Sequence, residues 1–187
     1  QTLAVQNSIY EWSRDHRAHH KHSETNADPH NARRGFFFSH VGWLLMKKHP
    51  EVFRKGSRIP LDDLLADPVV YYQKKYYKTL AILVCFVMPT LLPNWLWGES
   101  YWNAYFVPAI LRYVITLHAT WLVNSVAHKW GYKPYDKRIN PVESLLVSIG
   151  AIGEGFHNYH HTFPQDYATS EYGFIYFNLT KGFIDTM

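Results

Sequence analysis

The segment HNYHH places His157, His160 and His161 at relative spacings 0, +3 and +4, and HRAHH repeats the pattern with His16, His19 and His20. On a helix these spacings bring three imidazoles to one face. Imidazole is a weak helix former, and its rings repel one another once protonated. A shared cation would offset both penalties, and transition metals are the cations imidazole binds best. A further pair, Asn124 and His128 in NSVAH, has the i, i+4 spacing of one helix face. The imidazoles and the amide together exceed the roughly four to six ligands of a single ion, so the pattern predicts two metals.

An all-nitrogen donor set suits iron, zinc or copper. Cys85 is the only cysteine and sits in an apolar run, so no thiolate joins the set and no disulfide framework exists. That cysteine usage predicts a reducing compartment. Carboxylate-bridged di-iron bundles use Glu-x-x-His pairs. Glu154 before His157 is the one such match, and it could instead orient a ring as a hydrogen-bond acceptor. His22, His30, His40 and His49 have no partner at ligand spacing and read as surface or hydrogen-bonding residues. His118, inside an apolar stretch, reads as packed and hydrogen-bonded.

The elements that must hold these clusters are helical, since no strand alternation is visible. Residues 79–98, TLAILVCFVMPTLLPNWLWG, carry no charge. About 20 helical residues cover a bilayer core of about 30 Å. Pro89 and Pro93 predict kinks, and Trp95 and Trp97 an interfacial aromatic belt. Residues 101–127 form a second apolar stretch interrupted by Arg112 and His118. Alone it also fits a buried core helix; beside its neighbour it reads as half of a transmembrane hairpin. Lys and Arg crowd the chain before residue 79 and recur at Lys129, Lys133, Lys137 and Arg138, whereas the connection between the spans has only Glu99. The positive-inside rule then puts segments 1–78 and 128–187, and both histidine clusters, in the cytosol. The NLT motif at Asn178 fits the glycosylation pattern but falls on that cytosolic side. Arg112, a charge inside a span, is expected to snorkel to the lumenal surface or to pair with a helix outside this chain. Gly35 to His49 reads as an interfacial amphipathic helix, and Asp67 with Pro68 as a helix start.

At 187 residues the chain is long enough for one domain. It begins at Gln1 within an apolar pattern and ends in what reads as another helix, so it is expected to be an internal piece of a longer protein. A net charge of +4, spread along the chain, fits a membrane surface and argues against nucleic acid.

Three stretches together carry a resemblance: NSIYEWSRDHRAHHKHSETNADPHNARRGFFFSHVGWLL, TWLVNSVAHKWGYKPYD and GEGFHNYHHTFPQDY. The chain resembles the membrane-bound fatty acyl-CoA desaturases of the stearoyl-CoA desaturase type, including insect delta-9 or delta-11 members. The resemblance implies one partial desaturase domain over residues 1–187. Its fold would be an all-α integral membrane protein with a cytosolic helical cap carrying a histidine-rich dimetal site. It implies two Fe ions, with His16, His19, His20, His128, His157, His160 and His161 as ligands and Asn124 reaching a metal through water. The family's first histidine box and two of its four membrane helices have no counterpart here. The implied reaction inserts a double bond into a saturated fatty acyl-CoA, with O2 as co-substrate and electrons from cytochrome b5 and its NADH-dependent reductase. The implied place is the endoplasmic reticulum membrane, with the active site facing the cytosol. Position by position, Gln6, Trp12 and Thr120 would shape the bend of the acyl tunnel, and Trp121 would line it. Asn7, Arg14 and Asp15 would contact the thioester and pantetheine, and Trp43, Lys47 and Lys48 the CoA nucleotide.

Two other classes compete. A related membrane di-iron hydroxylase would share the metal chemistry but insert oxygen. A non-enzymatic, histidine-rich membrane metal-binding protein would place its ligands inside the spans, whereas these clusters lie outside them.

Overall fold

The computed structural model describes residues 1–172 and 178–187. The described residues are helical, with isolated bridges and no strand. In chain order the helices are α1 (Ile9–His22), α2 (36–45), α3 (Pro50–Gly56), α4 (Asp62–Ala66), α5 (Pro68–Trp97), α6 (Tyr101–His128), α7 (Leu145–Gly150), α8 (His157–Thr162) and α9 (Leu179–Thr186). The chain divides into two compact units, Gln1–Arg17 with Lys55–Leu117, and Ala18–Arg54 with His118–Met187.

In the first unit α5 starts where the Asp67–Pro68 pair predicts. The Asp67 carboxylate accepts from the Val69 and Val70 amides, and Pro68 occupies the first helical position. α5 therefore begins about three turns before the uncharged stretch, and Lys74, Lys75 and Lys78 belong to the same helix. α5 and α6 are 30 and 28 residues long, and only 17% and 6% of their most apolar windows are buried. A soluble core helix buries its apolar face. Two long helices that leave theirs exposed are suited to lipid. Between them Gly98, at φ 72°, ends α5, and the Ser100 hydroxyl caps α6 by accepting from the Asn103 amide.

Neither helix is broken by its prolines. Leu83–Val87, just before Pro89, and Tyr105–Leu111, around Pro108, are wound one residue wider per turn, an adjustment that accommodates residues without an N–H. Pro89 still has no proton for the carbonyl four residues back, that of Cys85. Arg112 supplies it: Nη2 donates to the Cys85 oxygen at 2.8 Å, Nε to the Pro108 oxygen at 2.9 Å and Nη1 to the Leu3 oxygen at 2.7 Å. The expected lumenal or outside partner of Arg112 is thus replaced by carbonyls of this chain. Cys85, Ala104 and Ala109 are fully buried, and small side chains of this kind let helix backbones approach in lipid.

The second unit has an apolar centre of Val123, Ala127 and Val147, with Leu122, Val126 and Ala151 against it. α7 and α8 are joined by a tight loop. A Cβ on Gly155 would come within 2.2 Å of the Ser148 nitrogen, so only glycine fits there. The amphipathic helix expected over residues 35–49 is shorter than that. It covers 36–45 and exposes Phe37, Leu44 and Leu45. Met46 is extended, and Pro50 disfavours a helical residue before it, which leaves Lys47, Lys48 and His49 outside the helix. Asn178 is buried. Its side chain caps α9 by accepting from the Lys181 amide and donates to the Ala168 oxygen at 2.6 Å. Part of the expected cytosolic segment 128–187, residues 173–177, lies outside the described residues.

Candidate metal centre

Both triplets lie on helices, the first on α1 and the second on α8. His128 comes from the end of α6, where residues Val126–His128 tighten to three residues per turn. His19, His128, His157 and His161 converge. Their facing Nε2 atoms are 3.2 Å apart between His19 and His161, 3.1 Å between His161 and His157, and 2.9 Å between His157 and His128. His20 and His160 face each other separately at 2.9 Å, and the His20 ring stacks on His161 at 4.2 Å. His16 is one turn before His20 on the same face of α1, with Trp12 stacked on it at 4.5 Å.

These nitrogens fit a metal on two grounds. Donors about 2.0–2.1 Å from one ion stand roughly 2.9–3.4 Å from each other, from octahedral to tetrahedral geometry, which is the spacing the facing Nε2 atoms have. The outward nitrogens of two rings are also already committed. His19 Nδ1 lies 2.9 Å from Asp28 Oδ1, and His128 Nδ1 lies 3.1 Å from Glu24 Oε1. A carboxylate can only accept, so both rings carry their proton on Nδ1 and turn a bare Nε2 lone pair inward. His157 and His161 bring two more nitrogens to those lone pairs, and one cation can bridge all of them.

Burial, with the neighbouring rings adding to it, holds His157 and His161 well below the usual histidine range, His20 down to about 3 and His160 to about 4. The rings are therefore neutral and able to ligate. The metal-free protein should consequently lose stability as pH falls below about 6.5, because the unfolded chain takes up protons that the folded rings refuse. The loss should continue until the folded rings titrate, near 3 to 4 for His20 and His160. Thermal unfolding of chelator-treated protein between about pH 8 and pH 5 checks this; a midpoint that stays flat or rises on acidification contradicts it.

Of the carboxylates, Glu154 is exposed, and the orienting contacts are made by Glu24 and Asp28 instead. The pattern of spacings passed over both, although they follow the first triplet directly in SETNADPH. Two other positioning groups carry no spacing signature in the sequence. The fully buried Asn158 accepts from the Tyr135 and Asp136 amides and donates to the Asp136 and Pro141 oxygens, which fixes the helix carrying His157, His160 and His161. The buried Glu143 accepts from the Tyr159 amide at 2.8 Å in the first turn of α8, and burial raises its carboxyl to about 7. Neither His30 nor His40 is a surface residue. His30 packs 4.3 Å from the His19 ring, and His40 bonds Ser125 at 3.1 Å and His118 at 3.0 Å.

The remaining sequence candidates are placed as follows. In the first unit Gln6 is half-buried, Asn7 is exposed at φ 65°, and Arg14 pairs with Asp15 at 2.8 Å. In the second, Trp43 donates to the His40 oxygen at 3.3 Å. With Lys47 and Lys48 it lines a shallow crevice that also includes Thr25, Asn26 and Arg34. Thr120, Trp121 and Asn124 are half-buried on α6, and the Trp121 ring meets His118 edge-on at 5.2 Å. No hydrogen bond joins Asn124 to the histidines among the described residues.

Comparison with known proteins gives this arrangement a family. The family model described as fatty acid desaturase matches residues 1–179. The chain is 64% identical over 186 residues to stearoyl-CoA desaturase 5 of Bos taurus and 63% identical over 186 residues to its namesake in Homo sapiens. It is also 63% identical over 186 residues to the acyl-CoA desaturase of Cyprinus carpio. All of this chain is covered in each case, against 55%, 56% and 57% of the relatives, so the chain spans about half the length of the curated relatives it matches. With the match running from the first residue through both histidine triplets, the chain belongs to the fatty acid desaturase family.

Proposed function

We propose that the protein carrying this chain is an acyl-CoA desaturase that inserts a double bond into a saturated fatty acyl-CoA. The observation that carries the reading is the convergence of imidazoles from α1, α6 and α8 at metal-ligand spacing. Relatives bearing the names stearoyl-CoA desaturase and acyl-CoA desaturase supply the substrate class.

The reaction takes two hydrogens from adjacent methylenes. With two electrons and two protons added, O2 leaves as two waters. An unactivated C–H bond is beyond any side-chain acid or base. Two irons would supply the O2 redox chemistry, held by His16, His19, His20, His128, His157, His160 and His161, with Asn124 acting through water. The protein's own work is positioning. Glu24 and Asp28 keep Nε2 of His128 and His19 bare and aimed. Gln6, Trp12, Thr120 and Trp121 are assigned to the bend and lining of the acyl site, so that one pair of carbons is presented. Asn7, Arg14 and Asp15 are assigned to the thioester and pantetheine. Trp43, Lys47 and Lys48 are assigned to the nucleotide, where cations meet phosphates. Electrons come from cytochrome b5 and its NADH-dependent reductase. α5 and α6 cross the endoplasmic reticulum membrane with the histidines on the cytosolic side, as the flanking Lys and Arg favour. In an insect the product would also serve as a pheromone precursor.

Expression of the full-length protein in a yeast lacking its own desaturase should restore growth without added unsaturated fatty acid, and mass spectrometry should locate new double bonds in the lipids. Hydroxylated acyl chains in place of alkenes would move the assignment to the related hydroxylases.

A further inference from the structure

The segment from Ser23 to His30 is a turn whose two carboxylates, Glu24 and Asp28, are directed at the histidine cluster. Asp28, with no exposed side-chain surface, uses both oxygens. Its Oδ1 accepts from His19 Nδ1 at 2.9 Å and from the His30 amide at 3.1 Å, and its Oδ2 accepts from the Glu24 amide at 2.8 Å. Glu24 in turn accepts from His128 Nδ1 at 3.1 Å through Oε1, with Arg33 Nε 3.5 Å from Oε2. Glu24 is buried and sits in the left-handed region at φ 62°, a conformation unfavourable for a residue with a side chain. Such residues persist where the surroundings over-determine them. Here the left-handed turn gives the Glu24 amide to Asp28 while its carboxylate reaches His128. The two carboxylates are therefore one unit, joined through a backbone amide, and they serve rings that arrive from α1 and from the end of α6.

We propose that Glu24 and Asp28 form a paired carboxylate clip that fixes the tautomers of His128 and His19 and thereby sets how tightly the centre holds its metal. The clip rests on the metal centre of the proposed function and adds positioning residues to it. Asp28→Asn tests it sharply. An amide nitrogen turned toward His19 Nδ1 donates where the carboxylate accepted, which favours the other tautomer and puts a proton on the inward Nε2. Glu24→Gln is the milder partner, because its oxygen can stay on His128 with the amide nitrogen in the place of Oε2, whereas both oxygens of Asp28 accept from N–H groups.

The experiment uses the purified full-length protein loaded with Fe(II) or, for its visible ligand-field bands, Co(II). Three quantities are read: metal bound per protein, the rate of metal loss to a chelator, and the unfolding temperature of the metal-free form. In Asp28→Asn, metal loss should be about 10–100-fold faster than in the parent and the Co(II) spectrum should change, while the metal-free unfolding temperature should fall only modestly, because one amide oxygen cannot serve all three N–H groups. Glu24→Gln should show a smaller acceleration, and it carries the test alone if Asp28→Asn does not fold. Loss rates within about twofold of the parent overturn the clip. So does a variant whose metal-free form is weakened while its metal is held as before. A parent that binds metal but makes no alkene sinks the desaturase reading and leaves the clip standing, whereas a parent that binds no metal sinks both.

Discussion

Replacing His161 by alanine should reduce alkene formation to background, a loss of more than ~100-fold, while the protein is still made and inserted. His161 is central to the cluster. Its Nε2 faces both His19 at 3.2 Å and His157 at 3.1 Å, and its ring covers His20 at 4.2 Å. Alanine removes one donor and the wall between the two groups of rings together. Metal content should fall with activity, which separates ligand loss from a defect in substrate binding. Parent-like activity in this variant would strike His161 from the ligand set. Ala substitutions at His16, His20 and His157 apply the same test to the other members.

The largest effect on stability is expected at Arg112. Arg112→Leu leaves the Cys85, Pro108 and Leu3 carbonyls without their guanidinium donor, the first two at part-buried positions along the long helices where water is a poor substitute. At about 1 kcal/mol or more for each of the two part-buried carbonyls, the loss is on the order of 2 kcal/mol. Thermal unfolding in detergent should show a midpoint lowered by several degrees, with turnover per folded molecule largely retained. Arg112→Lys keeps the charge but loses the fork and should fall between. An unchanged midpoint in the leucine variant would mean that the three contacts contribute nothing.

The parts of this architecture that were legible in the sequence are those with a local signature. A helical period of histidines can be read without knowing the fold, because 0, +3, +4 is a statement about one helix. The Asp67–Pro68 start and the apolar cores of the spans are local in the same sense. The true beginning of α5 was hidden because its first turns carry Lys74, Lys75 and Lys78, which break the apolar run without breaking the helix. Glu24 was illegible for a different reason, since it finds its ring 104 positions away in the chain, while Asp28 meets His19 across nine positions of a turn with no periodic signature. Nothing near a carboxylate in sequence announces which distant imidazole it will meet. The partner of Arg112 is an intermediate case. Pro89 announces a free carbonyl at Cys85, but only the packing of two helices says which side chain answers it.

The burial of Asn178 bears on how the membrane orientation of this protein can be measured. Glycosylation mapping takes an acceptor asparagine as a reporter of lumenal exposure, and NLT at 178–180 has the required pattern. The Asn178 amide, however, is enclosed and bonded to the Ala168 oxygen and the Lys181 amide, so oligosaccharyltransferase has no access to it once the chain has folded, on whichever side it lies. An unmodified Asn178 therefore does not by itself place this segment in the cytosol. An informative acceptor is one engineered, with a flexible spacer, into the turn at Gly98–Ser100, where the backbone is exposed between the two long helices and a glycan would disturb no packed side chain.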